Sequence, residues 1–281
     1  MRANINRWNT TGIVGYAVLG STGERVHLDP REYCGVIEIA REAVPRELAF
    51  IVGAGQQSTR GTINEIDWSA KTGADAVLVI TPHYYRSAIT QDALIAHYTA
   101  MADAASIPVI LYSMPALTAV TIEPETVARL SEHPNIIGVK DSSPDIEGFK
   151  ETVRLCGDSF AVLTGNGTVL HNALKAGACG GILAVGCVVP ELCIEISRAV
   201  KAGENERARA LQERLTPLAQ AVTTKYGIGG LKAALDMIGF VGGAVRAPLQ
   251  SPDEEARREI ARLLEEARSA TAGYSMEVVQ A

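Results

Sequence analysis

Seven short apolar runs, each followed by a longer amphipathic segment, recur along the chain at a spacing of roughly 25 to 30 residues. They are GIVGYAVLG at 12–20, LAFIVG at 48–53, AVLVIT at 76–81, PVILYS at 108–113, IIGVKDS at 136–142, FAVLTG at 160–165 and GILAVG at 181–186. Runs this short, rich in Val and Ile and apolar throughout, read as strands buried on both faces rather than as helices. The segments between them carry helix punctuation. Asp29-Pro30 pairs a cap with a proline at the first helical position, and Gly73, Gly157 and Gly177 stand where helices should stop. Repeated βα units mean a parallel sheet with right-handed crossovers. Seven of them within 281 residues favour a (β/α) barrel over an open doubly wound sheet. No GxGxxG opens a helix after the first run, which speaks against dinucleotide binding.

After residue 186 the strand pattern stops. Helices are expected over 190–203, 204–222, 230–239 and 251–270, the last opened by Ser251-Pro252-Asp253-Glu254. The first completes the outer ring of a barrel spanning 1–203. The others form a C-terminal helical region, 204–281, packed on it, with a loose tail from Thr271.

Composition narrows the function. With 47% hydrophobic residues the chain can build a large core, and a net charge of −6 without a basic run excludes nucleic acid as a partner. Five cysteines without CxxC spacing suggest reduced thiols in the cytoplasm. The five histidines lack ligand spacing, so no metal is expected. Neither a secretory leader nor an apolar run of about 18 residues is evident, so no membrane is expected either.

Barrel chemistry sits at the carboxyl ends of the strands. The fifth run ends in Lys140. It is either a cation that snorkels to water or pairs with Asp141, or a desolvated amine able to attack a ketone as its neutral form. The first run ends in Gly20-Ser21-Thr22-Gly23-Glu24, a turn whose N–H groups and hydroxyls can hold a carboxylate. The fourth places the phenol of Tyr112 at the mouth. Hydroxyls, a phenol and a lysine at three strand ends are what a carbonyl-activating lyase needs.

GSTGE at 20–24, TPHYY at 81–85, YSMP at 112–115 and GVKDS at 138–142 resemble the pyruvate-dependent class I aldolases typified by dihydrodipicolinate synthase and N-acetylneuraminate lyase. The resemblance runs over about residues 5–250 and implies a TIM (β/α)8-type barrel. By it, Lys140 forms a Schiff base with pyruvate and Tyr112 is the proton-relay phenol beside the imine. Ser21 and Thr22 hold the pyruvyl carboxylate, with Thr22 linking two tyrosines. Tyr84 is the tyrosine a neighbouring subunit lends, which makes a homodimer the smallest active unit and a homotetramer the fuller assembly. Gly165 and Ile182 line the pyruvate pocket with backbone. No metal or organic cofactor is implied.

Three departures stand out. Arg25 follows the glutamate where the family usually has a small or apolar residue. Leu117 stands where the synthases carry an arginine for the second substrate's carboxylate. Thr22 replaces the asparagine of the GSNGE turn of 4-hydroxy-2-oxoglutarate aldolase, which the segments at 133–142, 226–240 and 242–250 resemble most. The resemblance therefore implies cleavage of 4-hydroxy-2-oxoglutarate to pyruvate and glyoxylate. The rivals are 4-hydroxy-tetrahydrodipicolinate synthesis and a non-catalytic 2-oxo acid binding protein. In the family the hydroxyl turn follows the second strand, so an N-terminally shortened chain is expected here. Its first barrel strand would be missing, with a gap between the 12–20 and 181–186 runs that residues 1–10 do not fill. Edges left open in this way invite aggregation, so low solubility is expected.

Overall fold

A computed structural model describes residues 1–270. Helix α1 (Arg2–Trp8) leads into β1 (Gly15–Val18), α2 (Pro30–Ala43), β2 (Ala49–Ala54), α3 (Thr59–Lys71), β3 (Ala76–Ile80) and α4 (Gln91–Ala104). Then come β4 (Val109–Ser113), the single turn α5 (Pro115–Thr118), α6 (Pro124–Ser131), β5 (Ile136–Asp141), α7 (Ile146–Cys156), β6 (Ala161–Thr164), α8 (Leu170–Lys175) and β7 (Gly180–Gly181). The rest is helical: α9 (Pro190–Lys201), α10 (Asn205–Gln220), α11 (Gly227–Met237) and α12 (Glu254–Ser269). Local chemistry sets these boundaries. Asp29 caps α2 by accepting from the N–H groups of Arg31 and Glu32, with Glu32 reaching back to complete a capping box. Gly73, Gly157 and Gly177 all take positive φ, as helix-stopping glycines should.

The seven strands form one parallel sheet in the order β1 to β7, curled with the helices on its outside. Alternate residues divide between two environments. Val77, Val79, Val109, Leu111 and Val139 pack outward beneath Tyr98, Met101 and Leu130, while Ala76, Leu78, Ile110 and Tyr112 pack together on the inner face. The register pairs Ile110 with Gly138 and Tyr112 with Lys140, so Lys140 shares that inner face.

Two sequence expectations need correction. The 181–186 run is not a strand along its length: β7 is only Gly180–Gly181, and Val185–Cys187 turn as a 3-10 helix. A glycine pair has no side chain to pack and is paired on one side only, so little holds it extended. The 12–20 run likewise contributes only four strand residues, because Leu19 turns left-handed at φ +57°.

Among the described residues β1 and β7 pair with one neighbour each and not with each other. Helix α1 adds no ladder to either. It lies across that side of the molecule, where the Trp8 indole donates to the Cys187 carbonyl at 2.9 Å and the Tyr16 hydroxyl donates to the Ile5 carbonyl at 3.1 Å.

One apolar cluster joins Leu170, Leu192 and Ile196 to Leu215, Leu218, Ile260 and Leu264. The helices after residue 204 therefore share a core with α8 and α9. The tail expected to be loose from Thr271 lies outside the described residues. Among the described residues no helix is long and apolar enough to cross a membrane.

Candidate active site

Lys140 is the next-to-last residue of β5 and only 7% exposed, so little of its side chain meets water. Nor does it pair with Asp141. Successive strand residues point to opposite faces, and the Asp141 carboxylate is occupied by the backbone N–H and hydroxyl of Ser143 at 2.8 and 2.9 Å. The Lys140 side chain is thus enclosed on the inner face of the sheet. Its Nζ lies 4.1 Å from the centroid of the Tyr112 ring, as their adjacent register on β4 and β5 requires.

Tyr112 is 4% exposed, and its hydroxyl shares a 3.1 Å hydrogen bond with Ser21 Oγ. Burial alone would push the phenol up. The Lys140 charge and hydrogen bonds with Ser21, Lys140 and Ser142 outweigh it and hold the phenol below its ordinary value. A phenol so placed can give up and take back a proton.

Ser142 closes the same space. It is buried, and a Cβ built on Gly165 would fall 1.9 Å from its Oγ and 2.5 Å from Lys140 Cε. Glycine at 165 is thus what lets the β6 end approach Lys140, with the Gly165 N–H bonded to the Asp141 carbonyl at 2.6 Å. Ser142 received no role from the sequence. The signal was there: two residues after Lys140 along an extended chain, it falls on the same face.

The hydroxyl turn is a 3-10 helix over Ser21–Gly23, which Gly53 lets lie tight against β2. A Cβ at Gly53 would sit 2.1 Å from the Leu19 carbonyl oxygen. It is Ser21 that touches Tyr112, while Thr22 is exposed at the rim. Ile182, half-buried, donates its N–H to the Thr164 carbonyl at 2.9 Å at the end of the sheet.

Tyr84 is 74% exposed and stands edge-on to Tyr85, 5.0 Å between centroids. Its loop is fixed by Gln57, whose side-chain oxygen accepts the N–H groups of His83 and Tyr84, both at 2.9 Å. Leu117, on α5, is 63% exposed and offers only an apolar surface. Arg25 does not reach into the site. Its guanidinium grips both oxygens of Glu65 on α3, at 3.0 and 3.1 Å, and also donates to the Gly55 carbonyl. That half-buried pair explains an arginine after the glutamate: it ties the turn to α3. Among the described residues no group of three or more His, Cys, Asp or Glu side chains is placed to hold a metal ion.

The model of the Dihydrodipicolinate synthetase family matches residues 1–267. The chain is 37% identical over 256 residues to a 4-hydroxy-tetrahydrodipicolinate synthase from Thermodesulfovibrio yellowstonii, covering 91% of this chain and 87% of that one. The dihydrodipicolinate synthase structure from Thermotoga maritima superposes with a TM-score of 0.90 at 30% identity, covering 95% and 91% of the two chains. A prophage protein of the dihydrodipicolinic acid synthase family from E. coli K12, solved in complex with pyruvate, superposes with a TM-score of 0.88 at 27% identity, covering 95% and 91%.

Proposed function

Because the chain belongs to the Dihydrodipicolinate synthetase family and is a carbon–carbon lyase, we propose that it works through a Schiff base between Lys140 and a pyruvate-type 2-oxo acid. The observation that carries this is the enclosed Lys140 amine, 4.1 Å from the Tyr112 ring, with the phenol bonded to Ser21. In the condensing direction the neutral amine adds to the C2 carbonyl of pyruvate, and the carbinolamine loses water to give an iminium. Its positive nitrogen takes up the C3–H electron pair as the Tyr112 phenolate, left after protonating the departing hydroxyl, accepts the C3 proton, leaving an enamine whose C3 attacks an aldehyde carbon. Tyr112 carries the protons, from the amine to the departing hydroxyl and on to the new alkoxide. The Ser21–Thr22 turn holds the carboxylate, and Ser142 and the backbone of Gly165 and Ile182 wall the other side. Cleavage is the same path in reverse, with the iminium as electron sink. No metal or organic cofactor has a step in it.

The exposed Tyr84 and Thr22 suit a homo-oligomer in which each subunit's Tyr84 meets the rim hydroxyl of its neighbour, with a dimer as the smallest working unit.

For the partner aldehyde, the curated relatives' name supports condensation of pyruvate with aspartate semialdehyde, as in 4-hydroxy-tetrahydrodipicolinate synthase. That name supports the synthase reaction better than the 4-hydroxy-2-oxoglutarate cleavage expected from sequence. One observation favours the latter as a second reading: Leu117, exposed on α5, offers no guanidinium for the semialdehyde's distal charges. Both reactions run side by side on one preparation decide. Faster condensation supports the synthase, and faster pyruvate release from 4-hydroxy-2-oxoglutarate supports the aldolase. Pyruvate bound with activity in neither would leave only a 2-oxo acid binding protein, and no pyruvate bound would refute the site.

A further inference from the structure

Of the three non-glycine residues at positive φ among those described, two bracket the hydroxyl turn: Leu19 at +57° and Glu24 at +54°. Residues outside glycine persist in that region only where their surroundings over-determine them, and such strain gathers at functional sites. For Leu19 the close crossing at Gly53 does this. For Glu24 it is the side chain.

The Glu24 carboxylate is buried, 6% exposed, and meets two groups from the far end of the chain. Lys232 Nζ, on α11, forms an ion pair with one oxygen, and the Arg246 backbone N–H donates to the other at 2.7 Å. Lys232 is itself steadied by the Ala244 carbonyl at 2.7 Å. Helix α11 belongs to the C-terminal helical core, which contributes no strand and none of the residues placed around Lys140. Yet it ends on the residue that closes the turn bearing Ser21.

We infer that Glu24, held by Lys232, is a positioning residue that sets the Ser21–Thr22 turn for the substrate carboxylate and so makes the C-terminal helices part of the binding site. The inference rests on the Schiff-base reading and deepens it. Position and charge make opposite predictions here. A carboxylate close to an anion-binding turn repels the substrate, so if Glu24 acted only through its charge, removing it would tighten pyruvate binding. If it acts by holding the turn, removing it weakens binding.

The test is the pyruvate concentration that gives half-maximal borohydride trapping on Lys140, in the full-length protein and in Glu24→Ala, Lys232→Met and Lys232→Arg. Loss of one charge-assisted contact should raise that concentration about tenfold in both Glu24→Ala and Lys232→Met. Trapping at saturating pyruvate should stay largely intact, and Lys232→Arg should restore the native value to within about threefold. Lys232→Met loosens the pair without touching the turn, so it decides the matter even if Glu24→Ala folds poorly. Half-saturation unchanged or lowered, with the native protein trapped normally, overturns this inference alone. A native protein that traps no pyruvate overturns the Schiff-base reading and this inference with it.

Discussion

Adding one methyl group at Gly165 should silence the site while leaving the fold standing. The Cβ of alanine would lie 1.9 Å from Ser142 Oγ and 2.5 Å from Lys140 Cε. An unstrained contact needs roughly 3.5 Å, so the first atom must retreat by about 1.6 Å and the second by about 1 Å. Both are side-chain atoms. The strain can therefore be relieved by rotamer shifts costing about 0.5–1.5 kcal/mol each, rather than by moving the sheet. In a chain of this size that lowers the melting temperature by a few degrees. The chemistry is less forgiving, because a displacement of about 1 Å at a reacting group costs on the order of 100-fold. Trapping of pyruvate by borohydride, followed as a rate, should fall by about that factor in Gly165→Ala. Gly35→Ala on α2, where nothing lies within 4 Å of the new methyl, is the control and should trap normally with equal or greater stability. Trapping by Gly165→Ala within threefold of native would refute the reasoning. So would a collapsed melting transition, which would mean the strain is not local.

Removing the phenolic hydroxyl in Tyr112→Phe takes away the proposed proton carrier, bonded to Ser21, and should lower kcat by 10²–10⁴-fold at about 1 kcal/mol of stability, read from steady-state kinetics and a melt. Leu117→Arg should raise kcat/KM for condensation with aspartate semialdehyde by roughly 10- to 100-fold, the worth of a bidentate carboxylate contact, with pyruvate half-saturation unchanged; no gain would mean Leu117 does not face the second substrate. Burial holds the His97 imidazole below its ordinary value, so the unfolded chain takes up its proton first. Its contribution to stability is therefore complete above about pH 6.5 and shrinks as pH falls from there towards the lower folded value. Thermal melts between pH 7 and 5 should show this loss, and replacing His97 by glutamine should flatten the slope in that window.

How far the molecule can be read from its sequence depends on the range over which each feature is determined. The β4 and β5 runs are legible because PVILYS and IIGVKDS are apolar on both faces, and their register then puts Tyr112 beside Lys140. The seventh run misleads because GILAVG looks apolar while its strand pairing falls on two glycines with a partner on one side. Ser21 and Thr22 cannot be told apart by type. The 3-10 turn decides that Ser21 faces Tyr112 and Thr22 the rim. Ser142 was legible from strand alternation, but a serine in a turn-prone DSS sequence draws no attention to itself. The two ion pairs flanking the turn were beyond reach. Arg25 finds Glu65 on α3, and Glu24 finds Lys232 some two hundred residues later, and no local pattern encodes either pairing.

The central claim is that Lys140, and no other lysine, is joined to the substrate. Native protein incubated with pyruvate and borohydride, then digested and mapped by mass, should carry one reduced pyruvyl adduct per chain, on the peptide containing Lys140. Lys140→Ala should carry none while keeping the native melting profile. An adduct on a different lysine, or none in a folded sample, would contradict the account.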